Sequence, residues 1–269
     1  LIKLFISDLD GTLLGMNHFI KEEDIKAIKE ITDQNMDLVV ASGRMDLDIS
    51  EVLKKVEVSG HRVSQNGAFV HDLNEHPIYS AAFHTDIARQ VMDFIKEEPM
   101  VKTVSTKDFI YTDENSKWVD IISEQLFQDV IIEPELTSKF GDEIIPAKIT
   151  LHGKEDDVIL AHSRLKKQFS QELDIFISHE SCVDIMPKEI NKGNGIRTLL
   201  TQLQIKPEEV ACIGDSFNDL AMFEVTPHSY AMSTAHPDVQ DKAAYVVDHV
   251  YEAIEDLKTK KLIQIKETS

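Results

Sequence analysis

Two aspartates separated by one leucine, Asp8 and Asp10, close the apolar run FISDLD and are followed at once by Gly11 and Thr12. Alternate side chains of an extended strand share a face, so these two carboxylates would open onto one space. Like charges so placed are costly unless a cation or a proton separates them. A second acidic cluster, Asp215 to Asp219, ends another apolar run, EEVACIGDS. The oxygen-only set of Asp8, Asp10 and Asp215 suits a hard ion such as Mg²⁺, while the histidines show no HExxH spacing to suggest zinc. If one carboxyl is instead protonated it becomes a general acid, and a carboxyl pair with divided roles is a recurring catalytic device. An isolated Asp-x-Asp more often marks an exposed turn or a helix cap. Its company here, Ser42 in ASGR, Lys192 in NKGNG and the segment GDSFND, argues for chemistry.

The elements around these residues are those of an α/β protein. LFISDLD reads as a buried strand, KEEDIKAIKEITDQN places Ile25, Ile28 and Ile31 at helical spacing, and MDLVVASGR is a second buried run. Together they form a βαβ unit, expected to be parallel and right-handed. A helix over about 46–56 leads to RVSQNGAFV, whose Asn66-Gly67 marks a turn, with a hairpin around Asn74. Past Pro77 strands stand next to one another: VKTVS and FIYTDE, a helix-rich stretch, PAKITLHG, a helix at KEDDVILAHSRLKKQF, then ELDIFISH and SCVDIMP. That succession predicts an antiparallel or mixed sheet. The βα rhythm resumes after Pro187 with the stripe Ile196, Leu199, Leu200, Leu203 and runs through SYAMS and AYVV to a final helix from about 250. The expected architecture is a doubly wound parallel sheet made by 1–82 and 188–269, with 83–187 inserted as an α+β domain. In such sheets ligands bind beyond the carboxyl ends of the strands, where the polar residues of this chain gather.

Composition narrows the partners. The 269 residues carry a net charge of -20, so the summed field repels polyphosphate backbones and anionic lipid surfaces. Nucleic acid and membrane are not expected, and an anionic substrate must meet a local positive site. The two cysteines, Cys182 and Cys212, are far apart and outside any zinc-ribbon spacing, which fits reduced thiols in the cytoplasm. No apolar stretch approaches the roughly 20 residues that span a bilayer.

Taken in order, DLDGTLL at 8–14, Ser42, Lys192 in NKGNG and GDSFND at 214–219 resemble the four motifs of the haloacid dehalogenase superfamily of phosphatases. The insertion between the second and third motifs, and NGA at 66–68 after ASGR, resemble its Cof-type subgroup with a large α/β cap, class IIB. The resemblance implies a Rossmann-like core and a cap that closes over it. It implies that Asp8 is the nucleophile and becomes an aspartyl phosphate, that Mg²⁺ is held by Asp8, the Asp10 carbonyl and Asp215 with Asp219 steadying the shell, and that Lys192 and Ser42 bind the phosphoryl group. Asp10 would protonate the leaving oxygen and then deprotonate water. An acid at that position favours phosphoryl transfer over dehalogenation, since halide leaves without a proton.

Gly11 would let the backbone pass close to the phosphate, and Thr12 would orient Asp10 or merely pack. Asn218 would contact phosphate or Lys192. Gly43, Arg44, Asn66 and Gly67 are candidates for substrate contact, with a surface ion pair for Arg44 and a plain turn for 66–67 as the alternatives. In the cap, Glu180 and Ser181 are candidate leaving-group contacts, whereas His84, His152 and His179 read as ordinary polar residues. The implied activity is hydrolysis of phosphomonoesters of small metabolites, sugar phosphates or phosphorylated cofactors. A phosphomutase, or a phospho-acceptor module like a response-regulator receiver, are the alternatives.

Overall fold

The computed structural model describes residues 1–15, 19–126 and 128–263. It divides into two compact units, Leu1–Tyr79 with Lys192–Ser269, and Ser80–Asn191.

The first segment runs β1 (Leu4–Ser7), α1 (Glu22–Thr32), β2 (Asp37–Ala41), α2 (Asp46–Lys55), β3 (His61–Ser64), β4 (Phe69–His71) and β5 (Pro77–Ser80). β1 is apolar at three of its four positions because both of its faces are covered. Phe5 shares a core with Ile28 and Ile31 of α1, while Leu4 and Ile6 belong to the core on the opposite face with Ile196 and Leu199. Such double coverage is the rule for parallel sheets and explains a continuous apolar run in place of alternation. Glu22, Glu23 and Asp24 in the first turn of α1 lie where the helix dipole favours negative charge.

The inserted unit runs α3 (Thr85–Phe94), β6 (Val101–Ser105), β7 (Ile110–Thr112), α4 (Lys117–Leu126), β8 (Val130–Ile132), β9 (Lys148–His152), α5 (Glu155–Phe169), β10 (Leu173–His179) and β11 (Cys182–Pro187). Its sheet has the order β10-β11-β9-β6-β7-β8, antiparallel except for the parallel pair β7 and β8. Val158, Ala161, Leu165 and Phe169 form the buried stripe of α5 and pack with Ile149, Leu151, Val183 and Ile185 from one face of the sheet. β8 falls in the stretch that reads as helix-rich, because three residues are too few for periodicity to register.

The chain returns through α6 (Lys192–Leu203), β12 (Val210–Gly214), α7 (Leu220–Phe223), β13 (His228–Met232), α8 (Pro237–Gln240), β14 (Tyr245–Val247) and α9 (Val250–Thr259). The larger sheet has the order β14-β13-β12-β1-β2-β3-β4-β5. Every pairing from β14 to β3 is parallel, and β4 runs antiparallel to β3. From β1 the chain steps outward through β2 and β3, then resumes on the other side of β1 at β12 and steps outward through β13 and β14. The order reverses between β1 and β12, and at such a switch point the loops diverge and leave a crevice at the carboxyl ends. Among the described residues, no helix is long and apolar enough to cross a membrane.

Candidate active site

Four loops leave the carboxyl ends of adjacent parallel strands, and each bears polar residues. Asp8 follows β1, Ser42 follows β2, Asn66 follows β3 and Asp215 follows β12. Lys192, the first residue of α6, completes the group.

β1 ends at Ser7, so Asp8 and Asp10 do not sit on one extended strand and the alternation expected for them does not operate. They have separate partners. Asp8 is buried, and its Oδ1 accepts a hydrogen bond from Lys192 Nζ at 2.5 Å. Asp10 is exposed and is gripped by both forks of Arg44, with Nε donating to Oδ2 at 2.8 Å and an Nη to Oδ1 at 2.7 Å. Arg44 is buried, so its pairing with Asp10 is not the surface ion pair expected as the alternative to substrate contact. Burial is the largest influence and opposes its charge, but the Asp10 bond together with the charges of Asp10, Asp48 and Asp8 outweighs it and raises its pKa. Its N–H also donates to Ser42 Oγ at 3.1 Å, with half-buried Gly43 between the two.

Lys192 has no exposed surface, an expensive place for an ammonium ion. Two carboxylates share it, Asp8 and Asp219, the latter through Oδ1 at 2.7 Å. Their attraction overcomes burial and raises the lysine pKa, so the cation persists. Asp219 uses its other oxygen to accept the backbone N–H groups of Asp215 and Ser216 at 2.9 and 3.0 Å, which fixes the GDSFND turn.

Asp215 is held by Thr12, whose hydroxyl donates to Oδ1 at 2.8 Å. Thr12 therefore orients Asp215 and not Asp10. Gly11 stands at φ +81°, and a Cβ there would lie 2.3 Å from Asp215 Oδ2, so glycine is required by backbone and neighbour alike. Asn66 and Gly67 are buried, and Asn66 Oδ1 accepts from Asn218 Nδ2 at 3.0 Å. Asn218 is thus bonded to Asn66, and the turn at 66–67 is interior to its unit.

Carboxylate oxygens of Asp8, Asp215 and Asp219 lie within 4.8 Å of one another. Burial pushes the Asp8 pKa well above the carboxylate range, with Lys192 opposing and Asp219 and Asp215 adding to the rise. Burial, then the Asp219 charge, lifts Asp215 to about 6 against the Thr12 bond. Three acids with one lysine leave an excess of negative charge, and an all-oxygen set of this kind fits a hard divalent cation. The Asp10 carboxylate is not in this group.

Two close approaches beside the site, at the first turn of α6 and at the end of β12, are not among the expectations drawn from the sequence. A Cβ on Gly193 would come within 2.1 Å of the Ala221 carbonyl oxygen, and one on Gly214 within 2.5 Å of the Asp219 carboxyl. Gly193, next to Lys192 in NKGNG, was the available signal for the first of these.

Residues 5–254 match the family model of haloacid dehalogenase-like hydrolases. The chain belongs to that family. A Haemophilus influenzae protein carrying a phosphatase name is 30% identical over 249 residues, covering 91% of this chain and 92% of that one. A Bacillus subtilis phosphatase named for 5-amino-6-(5-phospho-D-ribitylamino)uracil is 27% identical, covering 92% of this chain and 90% of the other. Among solved structures, a Plasmodium vivax protein described as HAD/Cof-like shares the fold with a TM-score of 0.87 at 23% identity, covering 96% of each chain. This member of the haloacid dehalogenase-like hydrolases is accordingly an enzyme, a phosphatase in kind.

Proposed function

We propose that the chain is a Mg²⁺-dependent phosphomonoesterase of small metabolites, with Asp8 as nucleophile. The observation that carries this reading is the Lys192 ammonium held between Asp8 and Asp219 beside Asp215, at the point where the sheet reverses direction. A carboxylate attacks a phosphate dianion only where positive charge offsets the repulsion. Lys192 supplies one such charge. Asp8 and Asp215 are the residues that would hold Mg²⁺, which when bound neutralises phosphoryl oxygens. Asp219 anchors the lysine and the loop.

Ser42 would donate its hydroxyl to a phosphoryl oxygen, whereas the Gly11 N–H is taken by the Leu14 carbonyl at 2.9 Å. Asp10 would transfer the proton to the leaving oxygen and take one from water, with Arg44 holding it in place. The inserted unit is the part of the chain assigned to substrate choice. The Bacillus subtilis relative is named for a phosphorylated ribityl compound, which supports a sugar-like or cofactor-precursor phosphate. Thiols such as Cys182 and Cys212, not joined to each other, fit a reducing compartment, the cytoplasm.

A panel of phosphorylated metabolites assayed for phosphate release with and without Mg²⁺ tests this reading. Metal-dependent release from a subset of sugar or cofactor-precursor phosphates is expected. Phosphate migration within one sugar without net release would show a mutase, and a phosphorylated protein stable for minutes without turnover would show an acceptor module.

A further inference from the structure

The turn after β3 holds three successive residues at positive φ: Gln65 at 46°, Asn66 at 55° and Gly67 at 99°. Non-glycine residues persist in that region only where their surroundings over-determine them. Here the surroundings belong to the site. Asn66 N–H donates to the Ser42 carbonyl at 2.9 Å, and Gln65 N–H to the Arg44 carbonyl at 2.8 Å. α6 presses on the turn through Gly195, where a Cβ would stand 3.0 Å from Gly67 Cα. One buried turn thus touches the loop with Ser42, the helix with Lys192 and, through Asn218, the loop with Asp215.

The Asn218 amide shows what this contact is for. Its Nδ2 is taken by Asn66, while its Oδ1 is buried without a hydrogen-bond partner. A buried acceptor left unpaired is costly, and an amide oxygen is the wrong end to offer an anion. A half-turn of the amide exchanges its ends. The NH₂ then takes the unpaired position and the oxygen turns to residue 66, whose own amide makes the reciprocal turn and donates.

We infer that Asn66 is a positioning residue that decides which end of the Asn218 amide meets the phosphoryl group, the two amides turning together when the anion binds. The inference rests on the phosphatase reading above.

Titration calorimetry with inorganic phosphate in the presence of Mg²⁺, alongside kcat and KM for 4-nitrophenyl phosphate, tests it on full-length variants. Asn66→Gly keeps the left-handed backbone without steric cost and removes the amide. Asn66→Asp tolerates the same backbone but can only accept, which pins Asn218 with Nδ2 toward residue 66. Phosphate affinity is expected to fall about tenfold in Asn66→Gly and further in Asn66→Asp, although aspartate is the closer isostere. A residue that only shapes the turn gives the reverse order.

In an Asn218→Ala background Asn66→Asp is expected to shift phosphate affinity by less than about twofold, since the coupled partner is gone. A loss that persists in that background is plain charge repulsion and overturns the inference, as does an Asn66→Asp protein with unchanged phosphate affinity. A wild-type protein that neither binds phosphate nor releases it from any ester fails differently: it removes the phosphatase reading, and the inference with it.

Discussion

At the scale of single residues, the site is a problem of charge. Lys192→Met leaves Asp8 and Asp219 buried without their shared cation, and breaking such a pair costs about 3–5 kcal/mol. Urea unfolding of the metal-free variant is expected to show that loss, with Mg²⁺ restoring part of it and phosphate release abolished. Asp215 sets a pH dependence whose sign follows from its raised pKa. A carboxyl lifted from 3.8 to about 6 keeps its proton in the folded state where the unfolded chain has lost it. Its contribution therefore favours folding below this window and is lost as pH rises through it, by the linkage relation. Asp215→Asn should remove that slope from metal-free unfolding curves. Mg²⁺ competes with the same proton, so its affinity should weaken by up to about tenfold per pH unit below 6 in titration calorimetry. The acids were legible in the sequence because ionisable residues at strand ends are conspicuous, and the lysine, which opens α6, through the NKGNG motif. The partner of each was not: Thr12 goes to Asp215 and Arg44 to Asp10, choices made by loop geometry after the strand has ended.

At the scale of elements, the placement of Lys192 depends on how closely the start of α6 approaches its neighbour. Alanine in place of a helical glycine normally stabilises by up to about 1 kcal/mol. Gly193→Ala should do the opposite, since its Cβ would meet the Ala221 carbonyl oxygen at 2.1 Å and α6 must shift. A loss of about 1–3 kcal/mol, the usual cost of overpacking, is expected in denaturant curves, with a fall in kcat. The helix itself was plain from Ile196, Leu199 and Leu200, whose spacing marks a buried stripe. What its first turn packs against was hidden, because a close approach leaves no trace in sequence beyond the glycine. β8 was missed for a related reason: Val130–Ile132 is too short to show a period and is specified by its pairing with β7.

At the scale of the whole molecule, the parallel order of the larger sheet follows from the βα rhythm, and its reversal beside β1 brings residues more than 180 apart in sequence to one place, as the Asp8–Lys192 bond shows. The ends of the inserted unit, Ser80 and Asn191, lie a few residues outside the 83–187 read from the sequence, because edge residues take their allegiance from contacts distant in the chain. The net charge of -20 also has a kinetic consequence. An anionic ester approaches against that field, so added salt should raise kcat/KM for a phosphomonoester at fixed free Mg²⁺ until screening is complete near physiological ionic strength. Stopped assays across a NaCl series would check this, and a steep fall with salt would mean that attraction dominates instead.

The central claim, that Asp8 attacks phosphorus in a cation-charged site, meets its most direct test in one side-by-side assay of wild-type and Asp8→Asn protein for Mg²⁺-dependent phosphate release from 4-nitrophenyl phosphate. A loss of about 10⁴-fold or more in kcat, with the cooperative unfolding transition intact, is the predicted result. Turnover by the asparagine protein at a rate near that of the wild type would contradict it.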